Sequence, residues 1–395
     1  MDIITSTDSL NLFCNALRAA DFITVDTEFI RDKTYWPILC LIQVAGPDRE
    51  AIIDPLAEGL SLESFYELMR APNVLKVFHA ARQDIEIFVH EAGVVPHPLF
   101  DTQIAAMVCG FGEQVSYETL IRQLTGGEID KSSRFTDWSR RPLSERQLTY
   151  ALADVTHLRE AYKKLAARLA ANQRQHWVKE EMIILESPET YLVRPENAWT
   201  RLKTRSGNLR YLAVLREVAA WREAEAQARD LPRSRVLKDE ALFEIAAETP
   251  HNVEELARLR AVPEGVARGK LSSGLLAAVQ TGLAIPKDKL PLPPENGRRN
   301  APPTLVELLK VLLKARCEES GVAQKLVASS EDIERLAAGD RDDMAVLSGW
   351  RHDIFGADAL QLAEGRIALS ARKGRIHILK LEESTQANSA KTVRS

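Results

Sequence analysis

Two hydrophobic periodicities alternate along the first 170 residues of this 395-residue chain. Short apolar runs rich in β-branched residues predict strands at 22–29, 39–45, 51–54 and 74–78, and a further element begins at 99–101. Apolar residues at helical spacing predict helices at 6–20, 62–69, 83–91 and 105–108. Since no helix separates the first three strands, we expect them to pair as a meander within a mixed sheet. The alternation as a whole predicts a three-layer α/β domain.

A long helix is predicted at 144–170, where Ser144 and Gln147 have capping-box spacing. Its expected buried stripe consists of Leu148, Leu152, Val155, Leu158, Tyr162, Leu165 and Leu169. Tyr150 and Asp154 lie one turn apart, so they share a face, which we expect to point away from that stripe. A partly buried tyrosine and a solvated aspartate would give the same pattern.

The remainder of the chain has helical character interrupted by proline-rich segments. We expect a connector at 171–205, helices at 206–286, a proline-rich linker at 287–302 and further helices at 303–380. Residues 381–395 are polar without periodicity and are expected to be a disordered tail.

Composition narrows the classes of function. Hydrophobic residues make up 45% of the chain and charged residues 27%, which is typical of a globular protein. A net charge of −4 means that any nucleic-acid contact must come from local patches or through metal ions. The four cysteines are scattered, there is no signal-peptide pattern, and no apolar run could span a bilayer. We therefore expect a cytoplasmic protein that does not contact membranes.

The candidate chemistry begins with Asp26 and Glu28 at the end of the strand 22–29. Side chains two apart on a strand point the same way, so two like charges are held together at the end of an apolar strand. Capping of a turn is the alternative explanation. A divalent cation between the carboxylates would make the arrangement favourable, and oxygen ligands suit Mg²⁺ or Mn²⁺.

Two more acids extend this set. Asp84 lies in the first turn of the helix 83–91, where an acid can also serve the helix dipole, and Asp154 lies one turn after Tyr150. Four carboxylates offset the charge of two divalent ions, and a tyrosine hydroxyl can orient a water. Together these are the groups that two-metal phosphodiester hydrolysis needs.

Three segments carry a family resemblance: Asp26-Thr-Glu-Phe29, His79-Ala-Ala-Arg-Gln-Asp84 and Tyr150-Ala-Leu-Ala-Asp154. In this order they resemble the exonuclease motifs of the DEDD 3′–5′ exonuclease superfamily, tyrosine branch, and are more similar still to its ribonuclease D family. The resemblance also includes residues 31–43, 53–56, 101–103, 130–132 and 136–143. It implies a ribonuclease H-like fold.

The resemblance also implies an activity and its residues. Asp26, Glu28, Asp84 and Asp154 would hold two divalent metal ions, Mg²⁺ or Mn²⁺, and Tyr150 would orient the attacking water. The enzyme would release 5′-mononucleotides from RNA 3′ ends, chiefly in the processing of precursor tRNAs. The remaining carboxylates of this half fall outside the motifs and are expected to be structural: Asp54, Asp101, Asp130 and Asp137.

Other residues near the motifs are weaker candidates for RNA binding. Tyr35 and Trp36 could stack on terminal bases, although both could equally pack the turn after the first strand. His79 begins the second motif, at a position where many superfamily members have asparagine. Basic residues that could contact phosphates, or lie in a solvated loop, precede the long helix: Lys131, Arg134, Arg140 and Arg141.

Residues 201–238 carry a local excess of positive charge, with ten basic and four acidic side chains. Such a patch fits a phosphate backbone, and a solvated amphipathic helix explains part of it as well. Residues 209–283 resemble the HRDC domain, a small helical bundle, through Trp221-Arg222, Leu231-Pro232 and the segment 265–274. Residues 303–376 resemble a second, more divergent copy, with Gly349-Trp-Arg351 and Gly356 as cues. The expected fold is thus an α/β exonuclease domain followed by two small all-α HRDC-type domains.

These features predict a monomeric, metal-dependent 3′–5′ exoribonuclease whose partner is RNA. No nucleotide cofactor is expected, because the glycines at 265–271 lack Walker A spacing. Two alternatives remain open on the sequence alone: a DNA-directed exonuclease with the same site, and a non-catalytic RNA-binding scaffold.

Overall fold

The computed structural model describes residues 3–130, 133, 136–204, 206–292 and 301–381. It contains two compact units, each built from several chain segments. The first consists of residues 1–102, 124–163 and 180–297, and the second of residues 103–123, 164–179 and 298–395. Within the described residues, no helix has the length and apolar character needed to cross a membrane.

A six-stranded mixed sheet is the centre of the first unit. Its strands are β1 (Ile3–Ile4), β2 (Phe22–Ile30), β3 (Ile38–Ala45), β4 (Glu50–Ile53), β5 (Leu75–Phe78) and β6 (Leu99–Asp101). They lie in the order β1-β4-β3-β2-β5-β6. Strands β2, β3 and β4 form the predicted antiparallel meander, whereas β2–β5, β5–β6 and β1–β4 pair in parallel. The mixed sheet is therefore confirmed.

Helices of the first half connect and follow these strands. They are α1 (Thr7–Leu17), α2 (Glu63–Arg70), α3 (Arg82–Ala92), α4 (Thr102–Val108), α5 (Tyr117–Thr125), α6 (Glu145–Ala171) and α7 (Gln175–Glu186). Ser6 caps α1 by accepting from the backbone N–H of Ser9. The capping box of α6 is present, since Ser144 and Gln147 exchange side-chain to backbone hydrogen bonds of 3.1 and 3.3 Å. The connector predicted at 171–205 contains the twelve-residue α7.

A small helical bundle follows in the same unit. Its helices are α8 (Leu209–Ala228), α9 (Arg233–Val236), α10 (Asp239–Glu248), α11 (Val253–Leu256), α12 (Glu264–Ala267) and α13 (Ser272–Ala284). Its core includes Leu215, Ile245 and Leu275, all fully buried. Helices α8 and α13 approach closely at Gly282, where an added Cβ would lie 2.6 Å from the Cα of Val214. A larger residue at 282 would therefore force these two helices apart.

The C-terminal part of the second unit is not entirely helical. It contains α14 (Pro303–Ser320), α15 (Gln324–Val327), α16 (Ser330–Ala337), α17 (Gly349–Arg351), a π-helical turn (His352–Gly356) and α18 (Ala357–Ala363). Two antiparallel strands follow, β7 (Ile367–Arg372) and β8 (Arg375–Lys380). This hairpin differs from the all-α expectation for 303–380. The tail predicted to be disordered lies outside the described residues from position 382 onward, as do residues 293–300 of the predicted linker.

Candidate active site

The strand β2 presents two carboxylates on one face of the sheet. Asp26 and Glu28 pair with Gln43 and Leu41 of β3, and the register shifts immediately after Glu28. Such irregularities are common beside active sites because they re-aim the neighbouring side chains. The shift begins beyond Glu28, so the two-residue spacing still places both acids on the same side, as the sequence predicts.

Helix α6 brings Asp154 to these two acids. Asp26, Glu28 and Asp154 each offer a carboxylate oxygen, and the three oxygens lie within 4.8 Å of one another. The Thr24 hydroxyl donates to the backbone carbonyl of Val155 at 2.8 Å, which fixes this turn of the helix against the strand. Three of the four predicted acids therefore converge in space from positions 128 residues apart.

Asp84, the fourth acid, lies at the margin of this cluster. It is 7% exposed and accepts a short hydrogen bond from the hydroxyl of Thr27. Thr27 lies between Asp26 and Glu28 on β2. The sequence analysis did not single out Thr27. Only the fold reveals that it holds Asp84 beside the strand that carries the other acids.

Electrostatics in this cluster favour a bound cation. Burial raises the pKa of Asp26 well above its usual value, and the nearby charge of Asp154 raises it further. Burial also raises the pKa of Asp84, and the charge of Asp26 adds to the effect. A pKa raised in this way means that the ionised acids are disfavoured unless a positive charge joins them. Clustered carboxylate oxygens are the ligands that Mg²⁺ and Mn²⁺ prefer, so the residues present fit a divalent ion.

Tyr150 lies next to the acids and bonds to one of them. Its hydroxyl makes a side-chain hydrogen bond with Asp154; burial, followed by the charges of Asp154, Glu28 and Asp26, raises its pKa above the usual range. The ring of Trp138 lies 6.1 Å away. Tyr150 also lines a cavity of about 470 Å³, so a small molecule can reach it.

The face of α6 that carries Tyr150 and Asp154 is covered by other residues, whereas the periodicity predicts that it points away from the buried stripe. Asp154 is 7% exposed, and Tyr150 packs against a cluster that includes Trp138 and Ala151. The helix is covered on two sides, whereas a single apolar stripe indicates only one. The prediction of a non-core face was therefore wrong, although the prediction that the two residues share a face was right.

His79, the first residue of the second motif, contacts the start of α4. Its Nδ1 lies 3.0 Å from the hydroxyl of Thr102, and burial lowers the pKa of the imidazole. Asp101 accepts from the backbone N–H groups of Ala80 and Ala81 at 3.0 and 2.9 Å, which stabilises the turn into α3. These contacts agree with the structural role expected of Asp101.

Tyr35 is not available for base stacking. It is 3% exposed, and its hydroxyl donates to Glu223 of α8. The guanidinium of Arg233 lies 4.8 Å from the centre of the Tyr35 ring. Trp36 stacks on His90, with ring centres 4.0 Å apart. The alternative of structural packing therefore describes Tyr35, and the predicted stacking role is wrong for this residue.

Arg141 is also occupied within the protein. It forms a two-point ion pair with Asp54, with distances of 2.7 and 2.6 Å, and donates to the carbonyl of Cys40 at 2.7 Å. This pairing gives Asp54 a structural role and leaves Arg141 less available for a phosphate than predicted. Lys131 and Arg134, two further candidates in the predicted phosphate group, lie outside the described residues.

The basic segment at 201–238 offers less free charge than its composition indicates. Five of its arginines are bound by carbonyl or carboxylate groups: Arg210, Arg216, Arg222, Arg229 and Arg233. Arg201, Lys203, Arg235 and Lys238 are exposed. The tenth basic residue, Arg205, lies outside the described residues. Among the nine that are described, the second group has the charge that is most available for a phosphate contact.

Comparisons with known proteins agree with this geometry. A family model described as a 3′–5′ exonuclease matches residues 1–170, and an HRDC domain model matches residues 211–279. Ribonuclease D of Jannaschia sp. is 52% identical over 96% of this chain and 99% of its own length. Ribonuclease D of Nitrobacter hamburgensis is 51% identical over 95% of this chain and 98% of its own length.

A solved structure extends the similarity to three dimensions. The crystal structure of Escherichia coli RNase D, described as an exoribonuclease involved in structured RNA processing, matches with a TM-score of 0.80 at 31% identity. The match covers 92% of this chain and 98% of that one. Sequence identity over nearly the full length, the domain models and the fold all agree: the chain belongs to the ribonuclease D family of 3′–5′ exoribonucleases.

Proposed function

We propose that the exonuclease activity of this chain resides at Asp26, Glu28, Asp84 and Asp154, with two divalent cations, Mg²⁺ or Mn²⁺, held by these acids. The observation that supports the assignment is the convergence of three carboxylate oxygens within 4.8 Å. Buried acids with raised pKa values and no cation beside them are otherwise unfavourable.

The roles of the protein groups follow from their positions. Bound divalent ions would supply an activated water and charge stabilisation at the leaving oxygen. Tyr150 orients the attacking water through its hydroxyl, which Asp154 fixes in place. In the metal-free protein, burial and the charges of the neighbouring acids raise the pKa of this phenol, so it is protonated at neutral pH and can serve as a hydrogen-bonding group. Thr27 holds Asp84 in position through its hydroxyl.

The proposed substrate is the 3′ end of RNA, above all of precursor tRNAs, with release of 5′-mononucleotides. Membership of the ribonuclease D family and the HRDC model at residues 211–279 support an RNA substrate. We further propose that the chain acts as a monomer, that residues 303–380 form a second, divergent HRDC-type domain, and that the enzyme is cytoplasmic. The four cysteines, which are all buried and unpaired, fit a reducing compartment.

One assay tests the assignment directly. Purified protein with Mg²⁺ or Mn²⁺ is given 5′-labelled RNA and DNA strands of identical sequence, with and without a 3′-terminal block. We expect stepwise shortening of the RNA from its free 3′ end, loss of cleavage in EDTA, and little shortening of DNA. Equal or faster degradation of DNA would favour the DNA-directed alternative, and no degradation of either would contradict the proposal.

A further inference from the structure

A polar cavity of about 390 Å³ lies outside the acidic cluster, in the first compact unit. Four arginines line it, Arg31, Arg82, Arg201 and Arg233, together with one carboxylate, Glu86. Four guanidinium groups around one cavity repel one another unless anions accompany them. The cavity is therefore suited to an anion rather than to an apolar ligand.

Two of these arginines already have carboxylate partners. Arg31 pairs with both oxygens of Glu86, at 3.2 and 2.9 Å, and Arg233 pairs with both oxygens of Glu223, at 2.6 Å each. These pairs fix the walls of the cavity and neutralise half of its positive charge.

The other two arginines retain most of their donors. Arg82 is exposed and donates to the carbonyl of Thr190 over a long 3.4 Å. Arg201 is exposed, and it lies close enough to Glu223 for its charge to lower the pKa of that carboxyl, without a direct ion pair to any residue that the structure describes. An arginine presents five N–H donors in a planar fork that matches a phosphate group. Arg82 and Arg201 thus provide the unneutralised charge of the cavity.

Two arginines of the cavity are close in sequence to acids of the proposed metal site. Arg31 directly follows β2, three residues after Glu28, which is on the order of 10 Å along an extended chain. Arg82 begins α3 two residues before Asp84. Tyr191 lines the cavity, and burial together with the charges of Asp101 and Asp84 raises its pKa, so these acids are close by.

A second cavity of mixed charge lies beside the first. It has a volume of about 600 Å³ and shares Arg201 and Arg233 with the first. Its lining includes Lys238 at the start of α10, which is exposed. The same lining holds three acids, Glu223, Asp239 and Glu240. Arg222 and Arg233 pair with two of them, so the positive charge that the second cavity adds comes from Arg201 and Lys238.

We propose that the first cavity binds a backbone phosphate of the RNA strand, a short distance upstream of the bond that is cleaved, with Arg82 and Arg201 as its ligands. This inference rests on the proposed function, since it takes the acidic cluster as the point of cleavage. The bound phosphate fixes how far the 3′ end reaches toward Asp84.

A phosphate scan tests the proposal. Single-stranded RNA oligonucleotides carry one uncharged methylphosphonate linkage, moved stepwise away from the 3′ end. For the wild-type enzyme, we expect KM to rise about tenfold at one linkage upstream of the cleaved bond and to change little at more distant ones. In the doubly substituted Arg82→Gln/Arg201→Gln enzyme, KM should already be raised about tenfold for all-phosphate RNA. A methylphosphonate at the sensitive linkage should then cause no further rise in KM.

The matched control is Arg260→Gln, which removes one exposed arginine of the same unit that lines neither cavity. It should leave the scan as in the wild type. An equal rise in KM for Arg260→Gln would assign the effect to net charge and overturn the proposal. The proposal would also be overturned if KM of the wild type did not depend on the position of the methylphosphonate. It would be overturned likewise if the double variant kept the wild-type rise in KM at the same linkage.

RNA binding in Ca²⁺ separates this inference from the proposed catalytic role. The slope of log affinity against log salt should fall by about 0.7 for each phosphate that the double variant no longer neutralises. An unchanged slope would contradict the phosphate site even in an enzyme that cleaves RNA. A reduced slope in an enzyme that does not cleave would instead uphold the cavity and contradict the assignment of the acidic cluster.

Discussion

Two sets of carboxylates in the first compact unit differ in how their charge is balanced. Glu223 is fully buried, but Arg233 pairs with both of its oxygens and Tyr35 donates to it. Burial alone would raise the pKa of Glu223, and these hydrogen bonds lower it below its usual value. Asp26 and Asp84 have raised pKa values, because burial and mutual repulsion act on them together.

The comparison shows which acids the protein stabilises with its own groups. Where a buried carboxylate has a structural role, as Glu223 has in joining α8 to the segment after β2, the chain supplies the cation. Where acids converge and their pKa values rise, the fold relies on a cation from outside. The following experiments test this distinction.

The largest expected effect is the loss of hydrolysis on substitution of the clustered acids. Asp26→Asn or Asp154→Asn removes a charged ligand at an almost unchanged volume, so we expect the rate to fall by about 10³-fold or more. RNA affinity measured in Ca²⁺ should remain close to that of the wild type. Asp48→Asn, in an exposed turn, is the control for surface charge and should retain full activity. Wild-type turnover by either cluster variant would remove that acid from the mechanism.

Tyr150→Phe comes next. Loss of a hydroxyl that orients the water should slow turnover by about 10²- to 10⁴-fold, while calorimetry detects metal binding as in the wild type. Tyr162→Phe is the matched control, because Tyr162 lies on the same helix and its ring packs against Phe22 and Phe100 instead of the acids. A normal rate for Tyr150→Phe would leave this tyrosine a structural role only.

Two pairings in the site are predictable from the sequence because each depends on local geometry. A strand of period two places Asp26 and Glu28 together, and helical spacing places Tyr150 with Asp154. Both spacings hold in any fold in which the strand and the helix form. The helix that carries Asp154 is buried on a second side by a cluster that includes Trp138 from the preceding loop and Leu41 of β3, and the periodicity within the helix cannot report contacts with other segments.

The contacts of Tyr35 were not predictable in the same way. Its partner Glu223 lies 188 residues away, and neither segment contains a sign of the other. The hairpin of β7 and β8, unlike the contacts of Tyr35, has a local signal in the sequence. Apolar and polar residues alternate on both sides of the turn at Lys373-Gly374, a pattern typical of paired strands.

The third prediction concerns the balanced carboxylate. Glu223→Gln leaves Arg233 without its anion, so we expect the free energy of unfolding to fall by about 2–3 kcal/mol in urea at pH 7. Because the folded pKa of Glu223 is lowered, its contribution is present above about pH 4.5 and is lost as the pH falls through the folded pKa. Glu225→Gln is the matched control on the same helix. It pairs with Arg229 at the surface and should change stability by less than about 1 kcal/mol.

The smallest effect is expected to have the opposite sign. In the metal-free protein, Asp26→Asn relieves repulsion, so it should raise the free energy of unfolding at pH 7 by on the order of 1–2 kcal/mol. A raised folded pKa means that the folded protein keeps its proton above about pH 4, where the unfolded chain loses it, so wild-type stability declines as the pH rises through that window. The variant should lack this decline, as urea unfolding in EDTA between pH 4 and 8 would show.

Addition of Mg²⁺ should then stabilise the wild type, because the ion binds only the folded cluster, and should stabilise Asp26→Asn less. Equal destabilisation by Asp26→Asn and Glu223→Gln in EDTA would mean that the protein balances both carboxylates itself, and the distinction between the two groups would be lost.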